Sequence, residues 1–140
     1  MADLEKAILI AIKAHSGQKD RYGQPYILHP LRVMMSVNSE EEKIVAILHD
    51  VVEDSDLTLE DLKKEGFSDD VVRAVDCLTK REGEPYDAHV ERARQNLLAL
   101  PVKIADLEDN MDPQRMGVLS DEDKKRIARY QKTWNALHNG

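Results

Sequence analysis

The feature that most constrains this chain is an apolar run, Ile44-Val45-Ala46-Ile47-Leu48, that leads straight into His49-Asp50-Val51-Val52-Glu53-Asp54. Glu40, Glu41 and Glu42 precede the run, where acidic side chains suit the positive end of a helix. Ile44, Ile47, Leu48 and Val51 recur at helical spacing. The pattern predicts a helix over 40–52 with an interior middle and an ionisable C-terminal end. On a continuing or nearly continuing helix, His49 lies four residues from Glu53 and Asp50 four from Asp54, so two neighbouring rows gather one imidazole and three carboxylates. Such groups beside a core are costly unless they are paired or bound to a cation. The alternative is a solvated helix end on which His49 complements the dipole.

The remaining chain reads as helices too. Leu4, Ala7, Ile8, Ala11 and Ile12 form one stripe, with Asp3 placed to cap it and Gly17 beyond its end. Gln18 to Tyr26 reads as a polar loop, and Pro30 opens a short helix with His29 at its entrance. Thr58 with Asp61, Ser68 before Val71 and Val72, and Ser120 with Asp123 mark further helix starts. Helices are also predicted over 86–98 and 101–110, and the last helix has Ile127, Tyr130, Trp134 and Leu137 on its apolar side. Aromatic residues are 4% of the chain and turn residues are few, which opposes a sandwich or barrel. No repeat or linker divides the sequence, so the expected architecture is all-α, a single globular multi-helix domain over 1–140.

The net charge of −7, with 20 Lys and Arg against 27 Asp and Glu, argues against a nucleic-acid partner. The apolar stretches are interrupted well short of the ~20 residues a membrane helix needs. The one cysteine, Cys77, excludes an internal disulfide framework and suits a reducing compartment, and nothing near it suggests an activated thiol. Met1-Ala2-Asp3-Leu4-Glu5 has no signal-peptide character, so a cytoplasmic location is expected.

Two further residues point to chemistry near His49 and Asp50. His29 sits just before Pro30, and Asp106 falls inside the apolar stretch 102–107, with Asn110 one turn later as an amide neighbour. Taken singly, His29 reads equally as a helix-entry side chain and Asp106 as the partner of a Lys or Arg. Together with His49 and Asp50 they form a mixed His and carboxylate set, which suits Mn, Fe, Zn or Co better than Ca or Mg.

In this order, His29, the pair His49-Asp50 and Asp106 resemble the H…HD…D signature of the HD-domain metal-dependent phosphohydrolases. The segments Gly23-Gln24-Pro25-Tyr26-Ile27-Leu28-His29-Pro30, 48–54, Leu78-Thr79-Lys80 and 102–106 with Asn110 resemble the hydrolase domain of the RelA/SpoT family over about His15 to Asn110. That resemblance implies removal of the 3′-pyrophosphate of the alarmone (p)ppGpp. It implies one divalent metal ion, Mn²⁺ in most members, on His29, His49, Asp50 and Asp106, and a water held and deprotonated by Glu53 and Asp54. It also implies Asn110 near the ribose or transferred group and cations from Arg21 and Lys80 on the phosphates, with Tyr86 close to the substrate. Lys19, Arg21, Lys80 and Lys103 are expected to form a local positive patch.

The chain departs from that family at Lys19-Asp20-Arg21, where an aspartate stands in place of a base-stacking arginine. This motivates one alternative, the same chemistry on another phosphate ester, such as a nucleoside monophosphate or a dinucleotide 2′-phosphate; a second alternative, a nucleotide-sensing module without turnover, is opposed by the intact Glu53 and Asp54. No synthetase domain is expected after residue 140. His15 is expected to be a packed structural histidine, His89 and His138 to face solvent, and Tyr130 and Trp134 to pin the last helix.

Overall fold

The computed structural model describes residues 2–139, and among them nine α-helices and one 3-10 turn account for the regular structure. The first helix, α1 (Leu4–Ala14), starts on Asp3, whose side chain accepts from the Lys6 N–H, and Ala7 and Ala11 on its stripe are buried. Next come α2 (Leu28–Met35) and α3 (Glu40–Leu48). Ser39 and Glu42 form a reciprocal cap at the start of α3, each side chain accepting from the other's backbone N–H. This satisfies donors that a helix start otherwise leaves without partners.

The helix expected over 40–52 is broken. It stops at Leu48 and resumes as the single turn α4 (Val51–Asp54), with His49 and Asp50 between the two. The physical reason is local to His49: its backbone N–H and its ring Nδ1 both meet the Ala46 carbonyl, at 3.4 and 2.5 Å, which tightens the last turn. Asp50 then takes φ −104° and ψ −1°, outside the helical minimum.

Thr58 and Asp61 cap α5 (Leu59–Lys64), and Ser68 caps α6 (Asp69–Leu78). Gly66 between them has φ +101°, a conformation that costs a residue with a Cβ. The helix expected over 86–98 is shorter, α7 (Tyr86–Arg94). The Asn96 side chain accepts from the N–H groups of Leu98 and Ala99 and so starts the next helix, α8 (Ala99–Asn110), before the expected Pro101. A 3-10 turn at Pro113–Arg115, with no counterpart in the sequence reading, leads to α9 (Asp121–Asn139), which Ser120 and Asp123 cap reciprocally.

Helix α3 is central. It packs against α1, α2, α6 and α8, and Ile44 through Leu48 are all buried. The core joins this run to Val33, Val51, Leu62, Val75 and Val102. At ~25 cal/mol per Å² of apolar surface removed from water, this burial is the main force holding α2, α3 and α8 in register. The same packing fixes where the polar ends of those helices meet.

Candidate metal centre and its cavity

Three helices deliver the ionisable residues to one point. His29 comes from the first turn of α2, His49 and Asp50 from the break after α3, and Asp106 from the interior of α8. His29, His49 and Asp50 offer ligand atoms that all lie within 4.8 Å of one another. Asp106 Oδ1 joins them at 2.8 Å from His29 Nε2 and 3.4 Å from His49 Nε2. Asp50 Oδ2 lies 3.1 Å from His49 Nε2 and 3.8 Å from His29 Nε2.

Each imidazole is anchored through its other nitrogen. His49 Nδ1–H donates to the Ala46 carbonyl, which turns Nε2 toward the carboxylates. That Nε2 is buried and makes no hydrogen bond. His29 Nδ1–H donates to Asp109 Oδ2 at 2.6 Å. An unsatisfied buried nitrogen facing two carboxylates, with both rings held by their far edge, is a donor set that fits a divalent cation.

The electrostatics follow from the crowding. Burial opposes charge on both histidines, but Asp106 and Asp109 raise the pKa of His29, and Asp50 and Asp106 raise that of His49 well above the usual range. Burial likewise works against Asp106, yet Lys103, His29 and His49 hold it well below the ordinary carboxylate range. Tyr26 donates its hydroxyl to Asp50 Oδ2 at 2.5 Å, and Asn110 donates to Asp106 Oδ1 at 3.2 Å. Lys103 is buried and donates to Asp106 Oδ2 at 3.4 Å, so the pairing of Asp106 with a lysine coexists with the cluster.

A cavity of about 690 Å³ opens above these residues. Glu53 lines it, and its Oε1 accepts from the backbone N–H of Lys80 at 2.8 Å, which fixes the carboxylate against the 80–85 loop. Asp54 is not among the lining residues; desolvation, then the charges of Asp50 and Glu53, push its carboxyl up to about 6. Lys19, Arg21, Lys80, Tyr86, Lys103 and Asn110 all line the cavity, so every residue that the sequence reading expected near a substrate reaches the same space.

The wall holds more than the sequence suggested. Arg115, Arg126 and Arg129 add three cations. Arg129 lies over the rings of Tyr86 and Tyr130, at 5.9 and 5.3 Å from their centroids. Tyr130, expected only to pin the last helix, faces this cavity because α9 folds back over α8. His89, expected in solvent, is 6% exposed and also lines the cavity, because α7 turns it inward beside Lys103. His15 is packed as expected, with Nδ1–H donating to Gln18 Oε1 at 2.8 Å and its ring against Tyr26. His138 is exposed, and its ring stacks on Trp134.

Asp20 lines the cavity, but its carboxylate is engaged by its own loop and by Arg115. Its Oδ1 accepts from the N–H groups of Tyr22 and Gln24, and its Oδ2 from Arg115, which together hold its carboxyl below the usual range despite burial. Tyr22 in turn donates to Asp123 Oδ1 at 2.8 Å and ties this loop to the start of α9.

An all-α domain with a His and Asp cluster at the floor of a cation-walled cavity is the arrangement that the resemblance to the HD-domain phosphohydrolases led one to expect. The comparisons then narrow the class. The chain is 34% identical, over an alignment that covers 90% of its length, to the guanosine-3′,5′-bis(diphosphate) 3′-pyrophosphohydrolase of Vibrio cholerae serotype O1, and 30% identical, over 91% of its length, to that of Aquifex aeolicus. It spans about one fifth of the length of these curated relatives, 20% in each case. A solved structure described as a metazoan ortholog of SpoT that hydrolyzes ppGpp superposes with a TM-score of 0.81 at 25% identity, over 100% of this chain and 87% of that one. No protein-family model matches the chain. The resemblance to the RelA/SpoT hydrolase domain is thus upheld in sequence over nine tenths of the chain and in fold over all of it.

Proposed function

We propose that this chain is a metal-dependent phosphohydrolase that removes the 3′-pyrophosphate of (p)ppGpp. The observation that carries the reading is the convergence of His29, His49, Asp50 and Asp106 beneath a cavity walled by lysines and arginines, in a fold shared with a ppGpp-hydrolysing protein. In a chain of net charge −7 a cationic cavity is a local construction, and it suits a small ligand with several phosphates.

His29, His49, Asp50 and Asp106 would hold the metal, with Mn²⁺ the proposed ion. A divalent ion there supplies charge neutralisation at a phosphoryl group and makes a water more acidic. Glu53, fixed by the Lys80 N–H, orients the attacking water and takes its proton, and Asp54, which follows it in the chain and lies outside the cavity lining, is its proposed partner in that task. The water oxygen bonds to the phosphorus attached to the 3′ oxygen as the bond from that phosphorus to the 3′ oxygen breaks; the nucleotide 3′ oxygen is the leaving group and takes up the proton removed from the water, so that pyrophosphate and GDP or GTP separate. Lys80, Lys103 and Arg21 meet the phosphates, Lys19 widens the positive rim, Asn110 bonds near the ribose or leaving group, and Tyr86 flanks the substrate.

Metal-stripped protein incubated with ppGpp, with and without Mn²⁺, tests this. Manganese-dependent release of pyrophosphate and GDP is expected. Cleavage of a different phosphate ester, with ppGpp untouched, would keep the metal chemistry and discard the alarmone. The commitment of Asp20 to Arg115 favours keeping that second reading in the assay, because the Asp20 side chain offers no stacking plane to a purine.

A further inference from the structure

The two imidazoles are anchored by different chemistry. His49 Nδ1–H meets a neutral backbone carbonyl, whereas His29 Nδ1–H meets the Asp109 carboxylate. Asp109 is itself pinned. Arg32 Nε donates to its Oδ1 at 2.7 Å, and Arg115 Nη1 lies 3.1 Å from its Oδ2. Its side chain is only 9% exposed, so the carboxylate is held at a fixed place and charge. Asp109 lies outside the set of residues that the sequence singled out, and it lies on the far side of His29 from the cluster.

We infer that Asp109 is a positioning residue for the metal centre. It fixes His29 as the Nδ1–H tautomer, leaves Nε2 as the ligand atom, and makes that nitrogen a stronger donor than its partner on His49. A carboxylate accepting from the far nitrogen of a ligating histidine orients the ring and raises its basicity, and removing it commonly weakens metal binding by ~10–100-fold. The inference rests on the metal reading of the same cluster.

The arrangement also gives Asp20 a task. Arg115 bridges Asp109 to Asp20, and Asp20 accepts from Tyr22 and Gln24, so the loop over 18–26 is joined to the outer support of His29. The arginine joins them through separate groups, with Nη1 on Asp109 and Nη2 on Asp20. Its Nε is buried and without a partner, a polar cost that the two carboxylates offset.

The test titrates the full chain with Zn²⁺ alone, by competition with a chelator, for the wild type and for Asp109→Asn and Asp109→Leu. We expect the affinity to fall by ~10–100-fold in Asp109→Leu and by less in Asp109→Asn, whose side-chain oxygen still accepts from Nδ1–H. Equal affinity in wild type and both variants overturns the inference, even if the variants melt earlier, because that pattern marks a purely structural residue. A measurement on the wild type keeps the question open to refutation if a variant fails to fold. In Zn²⁺-loaded protein, nitrogen NMR of the imidazoles should find the His29 proton on Nδ1, and a proton on Nε2 instead overturns the inference. Absence of Zn²⁺ binding by the wild type is a separate result, and it overturns the metal reading itself.

Discussion

The floor and the rim of the cavity are built on opposite terms. The floor joins α2, α3 and α8, its histidines are buried, and each polar atom answers to a named partner or to the cluster. The rim comes from the 18–26 loop, the 80–85 loop and α9, and Lys19, Arg21, Lys80 and Arg129 on it are exposed. Charges packed in the dry floor interact strongly and tolerate little displacement, while those on the rim are screened by solvent and salt. Under the proposed function, the floor would set whether chemistry occurs, and the rim how well a polyanion is gathered.

The largest effect should come from the floor. Asp50→Ala removes a carboxylate shared by Tyr26 and His49, and metal-dependent turnover should drop by about 10³-fold or more, with metal affinity lost in parallel. Retained metal binding in that variant would break the comparison. Glu53→Gln should reduce kcat by ~10²–10⁴-fold while chelator competition shows metal affinity unchanged, which separates proton transfer from metal holding. On the rim, Arg126→Ala should raise KM by about tenfold and leave kcat nearly as it was, an effect that shrinks with added salt. A kcat effect as large as that of Glu53→Gln would mean that α9 belongs functionally with the floor.

The smallest effect concerns the boundary. Burial, then Lys103 and Arg92, push His89 down to about 4, against the opposing pull of Glu84 and Asp106. The unfolded chain binds a proton near pH 6.5 that the folded protein refuses, so His89 costs nothing above that pH. Stability should fall as pH drops from about 6.5 to about 4 and level off below, by an amount on the order of 1 to 3 kcal/mol. His89→Leu should flatten that segment of the curve in chemical denaturation, and an unchanged slope would assign it to other groups.

This contrast also marks what the sequence made legible. Helix starts at Asp3, Thr58, Ser68 and Ser120 were readable because a cap is a bond across three residues, whereas the Ser39 cap of α3 went unread behind its acidic first turn. The cluster residues were readable together rather than singly, because His29 and Asp106 each have an ordinary explanation and only their order with His49-Asp50 resembles a known signature. The break at His49 was not, since it depends on a ring turning back onto the Ala46 carbonyl rather than on any residue that ends helices. Asp109 escaped notice because its partners lie 77 and 80 residues away in sequence. Arg126, Arg129 and Tyr130 did follow helical spacing, and a cationic stripe on α9 was there to be found. What could not be read was that α9 lies over α8, which is a property of packing.

The interrupted helix has one more consequence. Successive residues of a regular helix diverge by roughly 100° around its axis, so an unbroken turn would send two neighbours to different sides. Here the chain pauses for His49 and Asp50, and two adjacent positions bring Nε2 and Oδ2 within 3.1 Å of each other. The closeness of that pair is a property of the pause, so a substitution that restored helical continuity through 48–51 would keep both candidate ligands and still draw Nε2 and Oδ2 apart.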